Sequence, residues 1–181
     1  LEIAAIGNKI GIGFMFAPNY HPAMKYVAPI RKDLGVRTIF NLLGPLTNPA
    51  SAKQQILGVY HKNLTTVLAR VLGKLGSTHV MVVSGEDGMD EISITGKTFV
   101  AELKNNEVKE YVINPNDYGI PLGKLVDIKV DDVAHSKAMV LGILDKKLST
   151  ARNISLLNAG AAIYVSGLVE DIEAGIEKAS K

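Results

Sequence analysis

The sequence predicts an α/β fold, a mostly parallel central sheet flanked by helices, with one β-hairpin excursion. Three observations carry this expectation. Thr78 to Ser84 (T-H-V-M-V-V-S) is a continuous, largely β-branched run, the pattern of a strand buried on both faces. Just before it, Leu64, Val67, Leu68, Val71, Leu72 and Leu75 recur at helical spacing. Strand-like and helix-like segments then alternate along the chain, the order that places helices over both faces of a sheet.

Taken in order, residues 2 to 6 read as a helix end stopped by Gly7. Ile10 to Ala17 is a compact apolar run closed by Pro18, a strand pattern. Pro22 suits the first position of a helix, where its missing N–H costs nothing. Ala23, Tyr26, Val27, Ile30 and Leu34 continue at helical spacing, Pro29 is expected to kink or restart the helix, and Gly35 ends it. Val36 to Leu43 is short and apolar, and Gly44 to Ala52 is a loop by composition. Gln54 to Tyr60 reads as a strand, and Gly76 caps the amphipathic helix that follows it. Gly85 to Ser93 is a polar loop. Thr98 to Leu103 and Val108 to Ile113 flank Asn105-Asn106, which reads as a hairpin lying at an edge of the sheet or outside it. Asn114 to Gly123 is a loop. Ser136 to Lys147 and Asn153 to Val165 read as helices, the second rich in small residues, and Leu168 begins a last amphipathic helix.

A chain of 181 residues is long enough for one domain that buries roughly 70% of its unfolded surface. The net charge is +2 with both signs interspersed, so no basic arm points to nucleic acid or to a membrane surface. There is no cysteine, which excludes a disulfide framework and thiolate chemistry and fits a cytoplasmic enzyme. No run approaches the ~20 apolar residues of a membrane span. Both ends read as the middle of a helix, so the chain is expected to be a single α/β catalytic domain, 1–181, cut from a longer protein.

Chemistry concentrates in two places. Glu86-Asp87-Gly88-Met89-Asp90-Glu91 puts four carboxylates just after the buried strand, and open α/β sheets bind ligands at the carboxyl ends of their strands. Hard oxygen donors without nearby His or Cys suit Mg²⁺ held together with a substrate phosphate; the same loop also reads as a solvated acidic turn. His21 and Arg31 surround the first helix. A guanidinium can grip a carboxylate or phosphate with two parallel bonds, and a histidine at a helix entry can donate or accept near a ligand. Equally, Arg31 reads as a surface charge and His21 as a cap. His79, inside the buried strand, reads as a satisfied core residue, and His61 and His135 as surface or capping residues. The dinucleotide glycine fingerprint, the Walker A loop, the serine elbow and the zinc-protease pattern are all missing.

Long strings of this chain resemble anthranilate phosphoribosyltransferases. F-A-P-N-Y-H-P-A-M (Phe16 to Met24), A-P-I-R-K-D-L-G (Ala28 to Gly35) and V-R-T-I-F-N-L-L-G-P-L-T-N-P (Val36 to Pro49) carry the likeness. It continues at Gly85 to Ile92, at Asn116 to Pro121 and at Leu156 to Ala162. The resemblance implies a catalytic domain of the nucleoside phosphorylase and phosphoribosyltransferase type. It implies a tryptophan-biosynthesis enzyme that moves phosphoribose from phosphoribosyl pyrophosphate to the amine of anthranilate with Mg²⁺ and works as a homodimer at full length. Arg31 would contact the anthranilate carboxylate, His21 would line its path, Gly44 and Pro45 would lie close to it, and Asp90 and Glu91 would hold the metal on the pyrophosphate. The family's Gly-Thr-Gly-Gly-Asp and Lys-His-Gly-Asn segments are not in this sequence. The alternatives are a non-enzymatic relative that binds nucleic acid and a pyrimidine nucleoside phosphorylase.

Overall fold

Seven consecutive residues, His79–Gly85, are all buried, and the sheet is built around them. The structure, a computed structural model, describes residues 7, 9–13, 24–35, 40–48 and 50–181. The chain divides into two compact units, residues 1–51 and 52–181, each described on its own.

In the first unit, helix α1 (Met24–Leu34) runs without a break through Pro29, so the proline does not restart it. Gly35 follows at φ 62°, a left-handed conformation that costs glycine little and ends the helix. Helix α2 (Phe40–Leu46) corrects one expectation: Gly44 and Pro45, loop-like by composition, lie inside a short helix. Pro45 sacrifices one internal hydrogen bond there. The helix is closed past it by the Thr47 N–H and hydroxyl, which both donate to the Leu43 carbonyl, at 3.1 and 2.9 Å. Two expectations before α1 are corrected. Gly7 does not stop a helix but lies in one with Lys9 and Ile10, and that helix ends at Gly11 (φ 79°), whose N–H donates to the Gly7 carbonyl at 2.8 Å. Ile10 to Gly13 therefore form no strand, while residues 14–17 of the expected strand lie outside the described residues.

The second unit holds a four-stranded sheet in the order β1 (Gln54–Gly58), β2 (His79–Gly85), β3 (Thr98–Lys104), β4 (Glu107–Ile113). β1 and β2 are parallel, while β2–β3 and β3–β4 are antiparallel. The α/β expectation holds, but the sheet is mixed rather than mostly parallel. The reason is the hairpin: β3 pairs directly with the central strand, and β4 forms the sheet edge beyond it. Asn105 and Asn106 turn the hairpin at φ 54° and 62°, the paired left-handed conformation that matches the twist of two adjoining strands.

Alternation along β2 feeds two helical layers. Val80 shares a face with Leu103, which packs on Gly73 of helix α3 (Thr65–Lys74). Met81 and Val83 face the other way. They join one apolar cluster with Ile154, Leu157, Ala161 and Val165 of helix α5 (Thr150–Val165) and with Ile172 of helix α6 (Ile172–Ala179). Between α3 and α5 in the chain lies helix α4 (Val133–Leu144), capped by Asp132, whose carboxylate accepts the His135 N–H at 2.7 Å. Serine and aspartate caps likewise start α5 and α6 at Ser149 and Asp171. Gly160 and Gly175 let α5 and α6 touch backbone to backbone, for a Cβ on either would overlap the other helix. Among the described residues, no helix is long and apolar enough to cross a membrane.

Candidate functional site

β2 ends at Gly85, and the chain leaves the sheet through a turn that closes on itself. The Gly85 N–H donates to the Met89 carbonyl at 2.8 Å, and the Gly88 N–H donates to the Gly85 carbonyl at 3.0 Å. Gly88 adopts φ 89°, which a side chain would strain. Asp87 is exposed, but its carboxylate is spent within the loop. Its carboxylate accepts from the Met89 N–H at 3.0 Å, from the Ser93 hydroxyl at 2.6 Å and from the Thr95 hydroxyl. Burial by itself would raise the Asp87 carboxyl, but these bonds outweigh it and hold the group below the ordinary aspartate value. Asp87 is therefore the staple of the loop.

Glu86, Asp90 and Glu91 remain, all exposed, and of these Asp90 and Glu91 stand side by side. The pair is bracketed by anchors. Met89 is tied at both backbone groups, and Ile92 is fully buried. Burial, then the charges of Asp90 and Asp87, push the Glu91 carboxyl above its ordinary value. Such a concentration of negative charge is the environment a divalent cation relieves. Among the described residues, no three His, Cys, Asp or Glu side chains converge as a ready ligand set. A hard cation held here would thus draw only one or two carboxylates from these residues, the usual protein share for Mg²⁺ carried on a phosphorylated ligand.

Two residues outside the loop hold the pair in place, and sequence reading passed over both. Asn158 of α5 accepts from the Ile92 N–H at 2.9 Å and donates to the Ile92 carbonyl at 2.8 Å. Gly58, the last residue of β1, lies directly under the Asp90 carbonyl, which a Cβ at that position would overlap. The available signal for Asn158 was a polar residue on the core-facing stripe of α5, one turn from the buried Ile154 and next to the buried Leu157. Gly58 gave none beyond its identity.

The other expected site residues belong to the first unit. Arg31 sits in α1, with its side chain outside what is described; Gly44 and Pro45 are exposed in α2; His21 lies outside the described residues. His79 is the satisfied core residue expected of it. It is 7% exposed, and its Nε2 lies 2.7 Å from the Glu102 carboxylate. His61 caps the 3₁₀ turn Lys62–Leu64 through Nδ1, which accepts the Asn63 N–H at 3.2 Å.

Fold and site together define an α/β domain whose acidic loop stands at the carboxyl end of its central strand, where sheets of this kind take their ligands. Residues 2–181 match the family model described as "Glycosyl transferase family, a/b domain", and the chain belongs to that family. It is 55% identical over 179 residues to an anthranilate phosphoribosyltransferase of Methylobacillus flagellatus, covering 99% of this chain and 52% of that protein. It is 53% identical to the enzyme of the same name from Nitrosomonas europaea, again covering 52% of it. Among solved structures, the anthranilate phosphoribosyltransferase of Thermus thermophilus superposes with a TM-score of 0.91 at 35% identity, over 98% of this chain and 53% of that one. The Saccharomyces cerevisiae enzyme in complex with PRPP and Mg superposes with a TM-score of 0.78 at 30% identity, over 88% and 46%. The chain thus spans about half the length of the curated relatives it matches.

Proposed function

We propose that this chain is the α/β part of an anthranilate phosphoribosyltransferase, which joins the phosphoribosyl group of phosphoribosyl pyrophosphate to the amine of anthranilate and releases pyrophosphate. The observation that carries the reading is identity above one half, sustained along essentially the whole chain, to proteins of that name. The acidic loop supports it: Asp90 and Glu91 are exposed, adjacent and rigidly mounted, as carboxylates that hold a diphosphate-bound Mg²⁺ need to be. Bound there, Mg²⁺ would supply charge stabilisation to the departing pyrophosphate.

The remaining tasks are positioning and electrostatics. Cleavage at the ribose C1 builds positive charge on the sugar. An aromatic amine is uncharged at neutral pH, so its lone pair needs placement rather than a strong base. Arg31 binds the anthranilate carboxylate, His21 lines its path, and Gly44 and Pro45 lie close to that path. The full-length protein works as a homodimer in the cytoplasm.

Replacing Arg31 with Ala in the full-length protein tests this. Losing a desolvated charge pair costs roughly 2–5 kcal/mol, so the KM for anthranilate is expected to rise at least ~30-fold while the KM for phosphoribosyl pyrophosphate changes little. Unaltered anthranilate kinetics would sink the assignment.

A further inference from the structure

We infer that Asn158 and Gly58 are the positioning residues of the Asp90–Glu91 pair, a two-point mount that sets where these carboxylates meet a metal-bound diphosphate. The inference rests on the reading of Asp90 and Glu91 given above and concerns residues to which nothing else assigns a role.

The first point is a reciprocal clasp. Ile92 offers a backbone donor and a backbone acceptor, and Asn158 answers both, at 2.9 and 2.8 Å. Its remaining N–H donates to the Ile154 carbonyl at 3.0 Å, one turn back in α5. Only a side-chain amide carries an acceptor and two donors in this arrangement. The carbonyl bonds also fix which way the amide faces. Because the clasp grips the backbone immediately after Glu91, it fixes the direction in which the chain passes that residue. Its base is firm, for the neighbouring Leu157 is fully buried in the main apolar cluster.

The second point comes from a different layer. Gly58 ends β1, opposite Val83 of β2 in the parallel register, and Val83 is fully buried. The Asp90 carbonyl rests on the bare Cα of Gly58. Any side chain here would lift the loop from the sheet at Asp90 itself. One helix and one strand, far apart in sequence, therefore locate the two consecutive acidic residues, one through the Ile92 backbone and the other beneath the Asp90 carbonyl. The inner staple at Asp87 shapes the preceding turn but touches neither of them. Residues that orient ligands from behind are worth roughly 10–100-fold in metal affinity.

The test uses the full-length protein carrying Asn158→Leu, Gly58→Ala or the milder Asn158→Ser. Ser155→Ala is the control: the Ser155 hydroxyl donates only to Ala151 within α5. Hydrogen exchange of the metal-free protein reads residues 89–93, and calorimetry reads Mg²⁺-dependent binding of pyrophosphate. All three mount variants are expected to exchange faster at Ile92 or Asp90 and to weaken Mg²⁺–pyrophosphate binding at least ~10-fold, with the KM for anthranilate held within about twofold. The control is expected to change neither reading. If Asn158→Leu fails to fold, Gly58→Ala and Asn158→Ser decide alone. A loosened loop that still binds Mg²⁺–pyrophosphate with wild-type affinity overturns the mount and leaves the acidic pair's role standing. Wild-type affinity in Asp90→Asn and Glu91→Gln overturns instead the reading on which the mount rests.

Discussion

Glu102 shows how a charge is kept inside this fold. Its carboxylate receives the Tyr164 hydroxyl at 2.8 Å, the His79 ring nitrogen at 2.7 Å and the Tyr111 hydroxyl at 3.0 Å. Burial alone would raise the carboxyl, but the three bonds outweigh it, from Tyr164 first, and hold it below the ordinary 4.5. The unfolded chain therefore binds the Glu102 proton more readily than the folded one. The resulting stability is present in full above pH 4.5 and is lost as pH falls through the folded value. Glu102→Gln is expected to cost about 1–3 kcal/mol at about pH 7 in urea denaturation, with the gap to the native protein narrowing as the medium turns acid. An equal gap at about pH 7 and about pH 3 would contradict this account. His79 was legible in sequence as a core residue because a histidine within a β-branched run must be buried and satisfied. Its partner was not legible, since Glu102 lies 23 residues away on another strand.

At the scale of elements, the hairpin is the clearest case of local chemistry deciding structure. Both turn residues take positive φ, which Asn tolerates and a β-branched residue does not. Asn106→Val is expected to cost about 1–2 kcal/mol, measured as a lower denaturation midpoint, whereas Asn106→Gly is expected to leave the midpoint equal or raise it. The turn was legible because its signal sits in two adjacent residues. The mixed sheet was not, because nothing within β2 or β3 states which strand each will pair with. The helix at Phe40–Leu46 escaped for the opposite reason. Its Gly, Pro and Asn content is loop-like, and composition outvoted a geometry that seven residues can adopt at the cost of one hydrogen bond.

For the molecule as a whole, the apolar cluster between sheet and helices carries the 52–181 unit. Leu157 stands at its centre with no exposed surface, among Met81, Val83 and Ile92. Leu157→Ala is expected to destabilise that unit by about 2–5 kcal/mol, and because Asn158 is the next residue, the lesion should also loosen residues 89–93 in hydrogen exchange. A variant with an undisturbed loop would show that core and site are mechanically independent.

By itself the sequence determined the character of the strands and helices of the 52–181 unit, the hairpin turn and the presence of an acidic loop after the central strand. Each of these is written in periodicity or composition over a few neighbouring residues, so hydrophobic burial and turn sterics can be read locally. Tertiary structure alone decided the strand pairing, the use of Asp87 within its own loop and the clasp that joins Ile92 to a residue 66 positions later. Those are contacts between segments whose meeting depends on how the whole core packs, and no local pattern encodes the distance between them.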